Sequence, residues 1–200
     1  MPRIKLCNPF HAFQSNTYVI SSCGESAIID PSVPFDPSLI EGKLKYILLT
    51  HSHFDHMLDI NSWVENSDAK VLIFNEEIDA LPDPRRNCYK FFDGSDNGYF
   101  GPAEGVVDSQ ILPLGDEEIM VLHTPGHTIG SVCYIFGKNA FVGDTVFAGG
   151  GYGRFDLPTG NYAMLKESID RIIKLDDKTV VYPGHGKSTT IKNYKIDIGR

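Results

Sequence analysis

The chain is poor in the residues that mark several protein classes. Cysteine occurs only at positions 7, 23, 88 and 133 of 200, and no two of these form a C-x-x-C pair. That spacing supports neither a disulfide framework nor a thiolate zinc site, so the thiols read as buried or incidental groups in a reducing compartment. Basic residues are also few: 18 Lys and Arg against 26 Asp and Glu leave a formal charge of −8 and a pI near 5.3. Both nucleic acid and anionic membranes attract basic surfaces, and neither is an expected partner here. No run approaches eighteen apolar residues, and Asn8-Pro9-Phe10 interrupts the N-terminal segment before any signal-type apolar core can form. A cytoplasmic protein is the expectation. With 42% hydrophobic residues and no linker, repeat or low-complexity tract, the chain reads as one domain over 1–200.

What is present is a succession of short β-rich runs with helices between them. Thr17–Ile20 and Ala27–Ile29 flank a turn-like Ser21–Ser26, and Tyr46–Leu49 ends at Thr50. Met57, Ile60 and Val64 then recur at helical spacing, which places 51–56 on a strand-to-helix loop. Val71–Phe74 is a further strand, after which Asn75-Glu76-Glu77 has the chemistry of an N-cap and first helical turn. Residues 82–102 lose all periodicity but carry five aromatic rings. That stretch is either a lid over a site or a loop pinned to the core. Strands resume at Ile119–Leu122, Val132–Phe136, Ala140–Val142 and Val180–Tyr182, and Met164–Leu175 places Leu165, Ile169, Ile172 and Ile173 on one helical face. The pattern predicts an α/β layered domain, with sheets covered by helices on their outer faces.

The segment that carries chemistry is Thr50-His51-Ser52-His53-Phe54-Asp55-His56, with three imidazoles and one carboxylate inside six residues. Ordinary core packing asks for nothing of the kind. In an extended loop side chains alternate, so His51 and His53 face one way and can reach a single metal. Asp55 and His56 turn away with the start of the helix, toward a second metal position. Three later loops each place one ligand-type residue just past a strand: Thr124-Pro125-Gly126-His127-Thr128, Gly143-Asp144-Thr145 and Pro183-Gly184-His185-Gly186. Imidazole and carboxylate donors suit zinc, and also iron or manganese.

In these motifs the sequence resembles the metallo-β-lactamase superfamily, whose H-x-H-x-D-H signature is matched in full. The resemblance implies an αββα four-layer sandwich and two divalent metal ions, zinc being the first choice. It implies that His51, His53 and His127 hold one metal, that Asp55, His56 and His185 hold the other, and that Asp144 bridges them. Gly143–Phe147, His123–Thr128 and Pro183–Gly186 look like glyoxalase II (hydroxyacylglutathione hydrolase) in its short form. The implied reaction is cleavage of an S-(2-hydroxyacyl)glutathione or a related small thioester by a metal-bridging hydroxide, with Asp55 orienting the hydroxide or handling its proton. Full-length glyoxalase II adds a C-terminal helical extension that contacts glutathione, whereas this sequence runs 15 residues past His185.

Arg154, in Gly153-Arg154-Phe155-Asp156, has two readings. The family places a basic residue near here that clamps a substrate carboxylate; alternatively Arg154 braces its own loop by pairing with Asp156. Lys187 is a weaker candidate for substrate contact. His11 and His123 match no ligand position and read as structural, with His123 a possible support behind the ligands. Two other activities share much of the pattern: persulfide dioxygenase, a one-iron relative with a similar G-R-x-D segment but a different final motif, and lactone hydrolysis on the same ligand set. A β-lactamase or an electron-transfer module ranks below these.

Overall fold

Side chains point to alternate faces along a strand, so strands that are apolar throughout bury both sides of a sheet. The computed structural model describes residues 3–7 and 13–200 and shows two such sheets. The first contains β1 (Arg3–Cys7), β2 (Thr17–Ser22), β3 (Glu25–Ile29), β4 (Lys43–Leu48), β5 (Lys70–Phe74) and β6 (Glu104–Val106), in that spatial order. β1, β2 and β3 pair antiparallel, and β3 through β6 are parallel. The second sheet is built from β7 (Ile111–Leu114), β8 (Glu117–His123), β9 (Val132–Phe136), β10 (Asn139–Gly143), β13 (Val180–Pro183) and β14 (Thr189–Thr190). Its spatial order is β14-β13-β10-β9-β8-β7, with the β10–β13 pair parallel. A short hairpin of β11 (Val146–Phe147) and β12 (Gly151–Tyr152) stands apart.

Three apolar clusters fill the spaces between layers. Tyr18, Ile20, Ile29, Leu48 and Leu72 of the first sheet meet Ile119, Val121, Tyr134 and Phe141 of the second. On the outer face of the first sheet, Val19, Ile28, Ile47 and Ile73 pack under Met57, Ile60 and Trp63, the last two on α1 (Ile60–Glu65). Cys133, Val142 and Val181 cover the outer face of the second sheet, beneath Ile172 of α3 (Tyr162–Ile172) and Ile191 and Tyr194 of α4 (Ile191–Asp197). The αββα layering expected from the sequence is therefore observed.

Local details depart from the expectations in three places. The helical spacing after residue 56 resolves into a 3-10 turn at Phe54–His56 followed by α1, because Asp55 O is engaged by Ser15 N–H at 3.1 Å and by the Ser32 hydroxyl instead of continuing a helix. Asn75 does not cap the next element. Residues Asn75–Ala80 form a 3-10 helix whose N-cap is Phe74, and Glu77 is buried inside the protein instead of facing a helix end. The 82–102 stretch contains a single-turn helix, α2 (Tyr89–Phe92), and is anchored by buried Tyr89 and Tyr99 while Phe91 and Phe100 stay exposed.

Candidate metal centre

Every loop that carries a ligand-type residue emerges at the same end of the sandwich. Asp30 follows β3, His51–His56 follows β4, His127 follows β8, Asp144 follows β10 and His185 follows β13. All seven residues singled out as ligands converge there. His127 Nε2 lies 3.2 Å from His51 Nε2 and 2.9 Å from His53 Nδ1. Three ring nitrogens aimed at one point cannot all be satisfied by one another. Around a tetrahedral zinc with bonds of about 2.0–2.1 Å, neighbouring donors sit about 3.3–3.4 Å apart, close to the spacing found.

A second group adjoins the first. His185 Nε2 is 3.0 Å from Asp55 Oδ2, and His56 Nε2 is 3.8 Å from the same oxygen. Asp144 stands between the groups: its Oδ1 is 3.3 Å from His56 Nε2, and its Oδ2 is 3.7 Å from both His127 Nε2 and His185 Nε2. Within the cluster, buried His56 Nε2 and Asp144 Oδ1 have no hydrogen-bond partner among the described residues, nor does the remaining nitrogen of His53. Buried polar atoms are rarely left so, and a divalent cation shared by His56 Nε2 and Asp144 Oδ1 would satisfy both. The donor set therefore fits metal.

Protonation of the cluster follows from burial and neighbouring charge. Burial first, and then the crowding of other imidazoles, holds His51 well below the usual histidine range and His53 down to about 3, so their lone pairs are available at neutral pH. Burial also acts on His56 and His185, but nearby carboxylates reverse it. Asp30, Asp55 and Asp144 raise His56, and Asp55 and Asp144 raise His185. Asp55 and Asp144 are pushed up by burial and pulled down further by His56 and the other imidazoles, so both are ionised.

Several supporting residues were not singled out from the sequence. Asp30 is buried and accepts from Thr50 N–H, Thr50 Oγ1 and His56 Nδ1, each at 2.8 Å. Its bond to Nδ1–H turns Nε2 of His56 toward Asp144. The only hint in the sequence was an acid placed directly after the apolar run Ala27–Ile29, as the ligands are placed after their own strands. His127 is oriented in the same way, Nδ1–H donating to Arg154 O at 2.7 Å. Gly184 is needed for close approach, since a Cβ there would stand 2.3 Å from Asp144 Oδ1 and 2.5 Å from His56 Cε1.

A cleft of about 270 Å³ opens over the cluster, lined by Phe13, Phe54, Cys88, Arg154 and Leu157 as well as by His53, Asp55, His127, Asp144 and His185. Phe92 of α2 stacks on Phe54 at 4.5 Å between centroids and meets Phe13 edge-on at 4.9 Å. The 82–102 stretch thus contributes Cys88 and an aromatic prop to the mouth. Both readings of Arg154 have a counterpart: the residue lines the cleft, and its guanidinium is bound through two 2.8 Å contacts to Asp156. His123 stacks on Phe74 at 4.0 Å and its Nε2 lies 2.9 Å from Ile129 O, bracing the loop that bears His127. Lys187 is exposed and does not border the cleft, and His11 falls outside the described residues.

A four-layer αββα frame with this His and Asp cluster at its strand ends is that of a metal-dependent hydrolase. The chain belongs to the metallo-beta-lactamase superfamily, whose family model matches residues 12–185. It is 31% identical over 205 residues to the hydroxyacylglutathione hydrolase GloC of Haemophilus influenzae, covering 94% of this chain and 92% of that one. Among solved structures it is similar to the B3 metallo-beta-lactamase BLEG-1, with a TM-score of 0.86 and 32% identity over 98% of this chain and 97% of that one. It is also similar to TTHA1623 in a di-iron-bound form, with a TM-score of 0.78 and 28% identity over 94% of each chain. No helix among the described residues is long and apolar enough to cross a membrane.

Proposed function

We propose that this chain is a dinuclear metal hydrolase that cleaves a small thioester, an S-(2-hydroxyacyl)glutathione or a close relative. The observation that carries the reading is the position of Asp144 between two sets of buried donors, His51–His53–His127 and Asp55–His56–His185. Divalent ions held there, zinc in this reading, would supply an acidified water near neutral pH and a Lewis acid for the acyl carbonyl.

The rest of the chemistry falls to residues of the chain. Asp55 faces the cleft as an ionised carboxylate, 3.0 Å from His185, and is placed to orient the attacking water and take up its proton. Phe13, Phe54 and Leu157 give the cleft an apolar wall beside the reacting carbonyl. A thiol has a pKa of about 8.5 and departs readily as thiolate, so no separate general acid is required. Arg154 at the rim offers a guanidinium to a substrate carboxylate, in competition with Asp156. The cleft volume of about 270 Å³ suits a small acyl group with its thiol carrier extending outward. The four free thiols accord with the cytoplasmic location that forms part of this reading.

The similarity to GloC supports the thioester, and the similarity to BLEG-1 supports a second reading, hydrolysis of a β-lactam amide. Thiol release from S-lactoylglutathione, ring opening of a chromogenic β-lactam, and opening of a short acyl lactone on one zinc-loaded preparation separate the candidates. Oxygen uptake with glutathione persulfide on an iron-loaded preparation tests the dioxygenase alternative. Thiol release with the highest kcat/KM is the expected outcome; its absence beside turnover of another substrate refutes the thioesterase reading.

A further inference from the structure

Glu77 is an acid with 1% of its surface exposed, and it does not border the cleft. Its Oε2 accepts from Ser52 N–H at 3.2 Å and from the Ser52 hydroxyl, while its Oε1 accepts from Gly130 N–H at 3.0 Å. Ser52 lies between His51 and His53, and Gly130 lies three residues beyond His127. One carboxylate therefore joins the two loops that carry the first triad of imidazoles.

The arrangement suits a group that accepts on both of its oxygens. Three donors converge on two oxygens, and a carboxylate accepts on both sides, whereas a carboxamide of the same shape must turn its NH2 toward one of those donors. Gly130 is fitted to the same contact, because a Cβ there would stand 2.4 Å from Glu77 Cγ. Burying a carboxylate is costly unless donors meet it, so this one holds its donors tightly. Two of the three donors are main-chain N–H groups. Glu77 thus acts on loop position, and a metal site requires ligand distances within about 0.2 Å of their standard values.

We propose that Glu77 is a positioning residue for metal binding. By fixing the 51–53 loop against the 127–130 loop, it sets how tightly His51, His53 and His127 hold their ion. The proposal rests on the reading that this triad binds metal. Asp30 braces His56 of the other triad through a contact that Glu77 does not share, so the loss of Glu77 falls first on the centre whose loops it joins.

The test measures zinc dissociation constants by competition with a chromophoric chelator. His185→Ala removes a ligand of the second triad and isolates the first; His53→Ala does the reverse. In the His185→Ala background, Glu77→Gln is expected to weaken zinc binding about 10- to 100-fold, and in the His53→Ala background by less than about threefold. If Glu77 serves only general stability, its loss lowers the melting temperature while zinc affinity is unchanged, or is reduced equally in both backgrounds; either result overturns the proposal. Absence of zinc binding by the unmodified protein removes the metal reading and the proposal together. Should Glu77→Gln fail to fold, Ser52→Ala, which deletes one donor and leaves no unmet charge, is measured in the same two backgrounds. It is expected to weaken the first centre about 3- to 10-fold, and an unchanged constant overturns the proposal.

Discussion

Replacing Asp30 by Asn removes the charge behind the second triad while keeping the shape of the side chain. Asp30 Oδ1 accepts from Thr50 N–H, and Oδ2 accepts from both Thr50 Oγ1 and His56 Nδ1, all at 2.8 Å. An asparagine can present its carbonyl to only one of these sides. If the carbonyl faces Thr50 N–H, the NH2 confronts His56 Nδ1, which must then give up its proton to Nε2, the atom aimed at Asp144. If it faces His56, a buried N–H of Thr50 meets another donor. A hydrogen bond to a charged group contributes about 1.5–3 kcal/mol and an unmet buried donor costs about 1–3 kcal/mol, so the expected loss is about 3 kcal/mol. With a urea slope of about 2–3 kcal/mol/M, the midpoint of the chelator-stripped protein falls by about 1–1.5 M. Zinc affinity falls about 10- to 100-fold in parallel. A stability change below about 1 kcal/mol with unaltered zinc binding would refute the claim that Asp30 holds His56 in its ligating form.

Other outcomes follow from the same geometry. Asp144→Ala, which removes the residue shared by both donor sets, is expected to lower kcat/KM by more than about 100-fold, and unchanged turnover sinks the dinuclear reading. Arg154→Ala is expected to raise KM about tenfold for a substrate bearing a free carboxylate with kcat little changed, and Asp156→Ala to lower KM by freeing the guanidinium; parallel losses in kcat contradict a pure binding role. Burial holds the Cys88 thiol up at about 11 and Cys133 at about 12, so both stay protonated near neutral pH. Cys88→Ser should therefore retain full metal content, and thiol alkylation of the native protein at pH 7.5 should spare Cys133 until it is unfolded. Trp63, the only tryptophan in the sequence, is fully buried with Nε1 donating to Val33 O at 2.7 Å. Trp63→Ala should cost about 3–5 kcal/mol in urea unfolding, and a cost below about 1 kcal/mol would contradict its place in the core.

The central features were legible because each has a local cause. Strands buried on both faces read as apolar runs, as at Ile47–Leu49 and Ala140–Val142. Ligands placed on loops directly after such strands stand out against apolar surroundings. The elements that were missed are the edge strands of the two sheets. β1 is an edge strand with exposed Arg3 and polar Lys5, and β6, β7 and β14 are two to four residues long, so none has a strong period of its own. Glu77 illustrates the harder case. Its acidic neighbours and Asn75 have the local chemistry of a helix start, yet donors from loops 25 and 53 residues away draw the carboxylate inward. In the 82–102 stretch, no spacing could distinguish Tyr89 and Tyr99, which go into the core, from Phe91 and Phe100, which do not. That distinction depends on where the chain ends up, not on its period.

The most direct test of the account is metal content by elemental analysis, made on the same preparation used for thiol release from S-lactoylglutathione. The account predicts two divalent ions per chain, activity lost on chelation and restored by zinc, and about one ion in His185→Ala. A single iron per chain with no thiol release would contradict it.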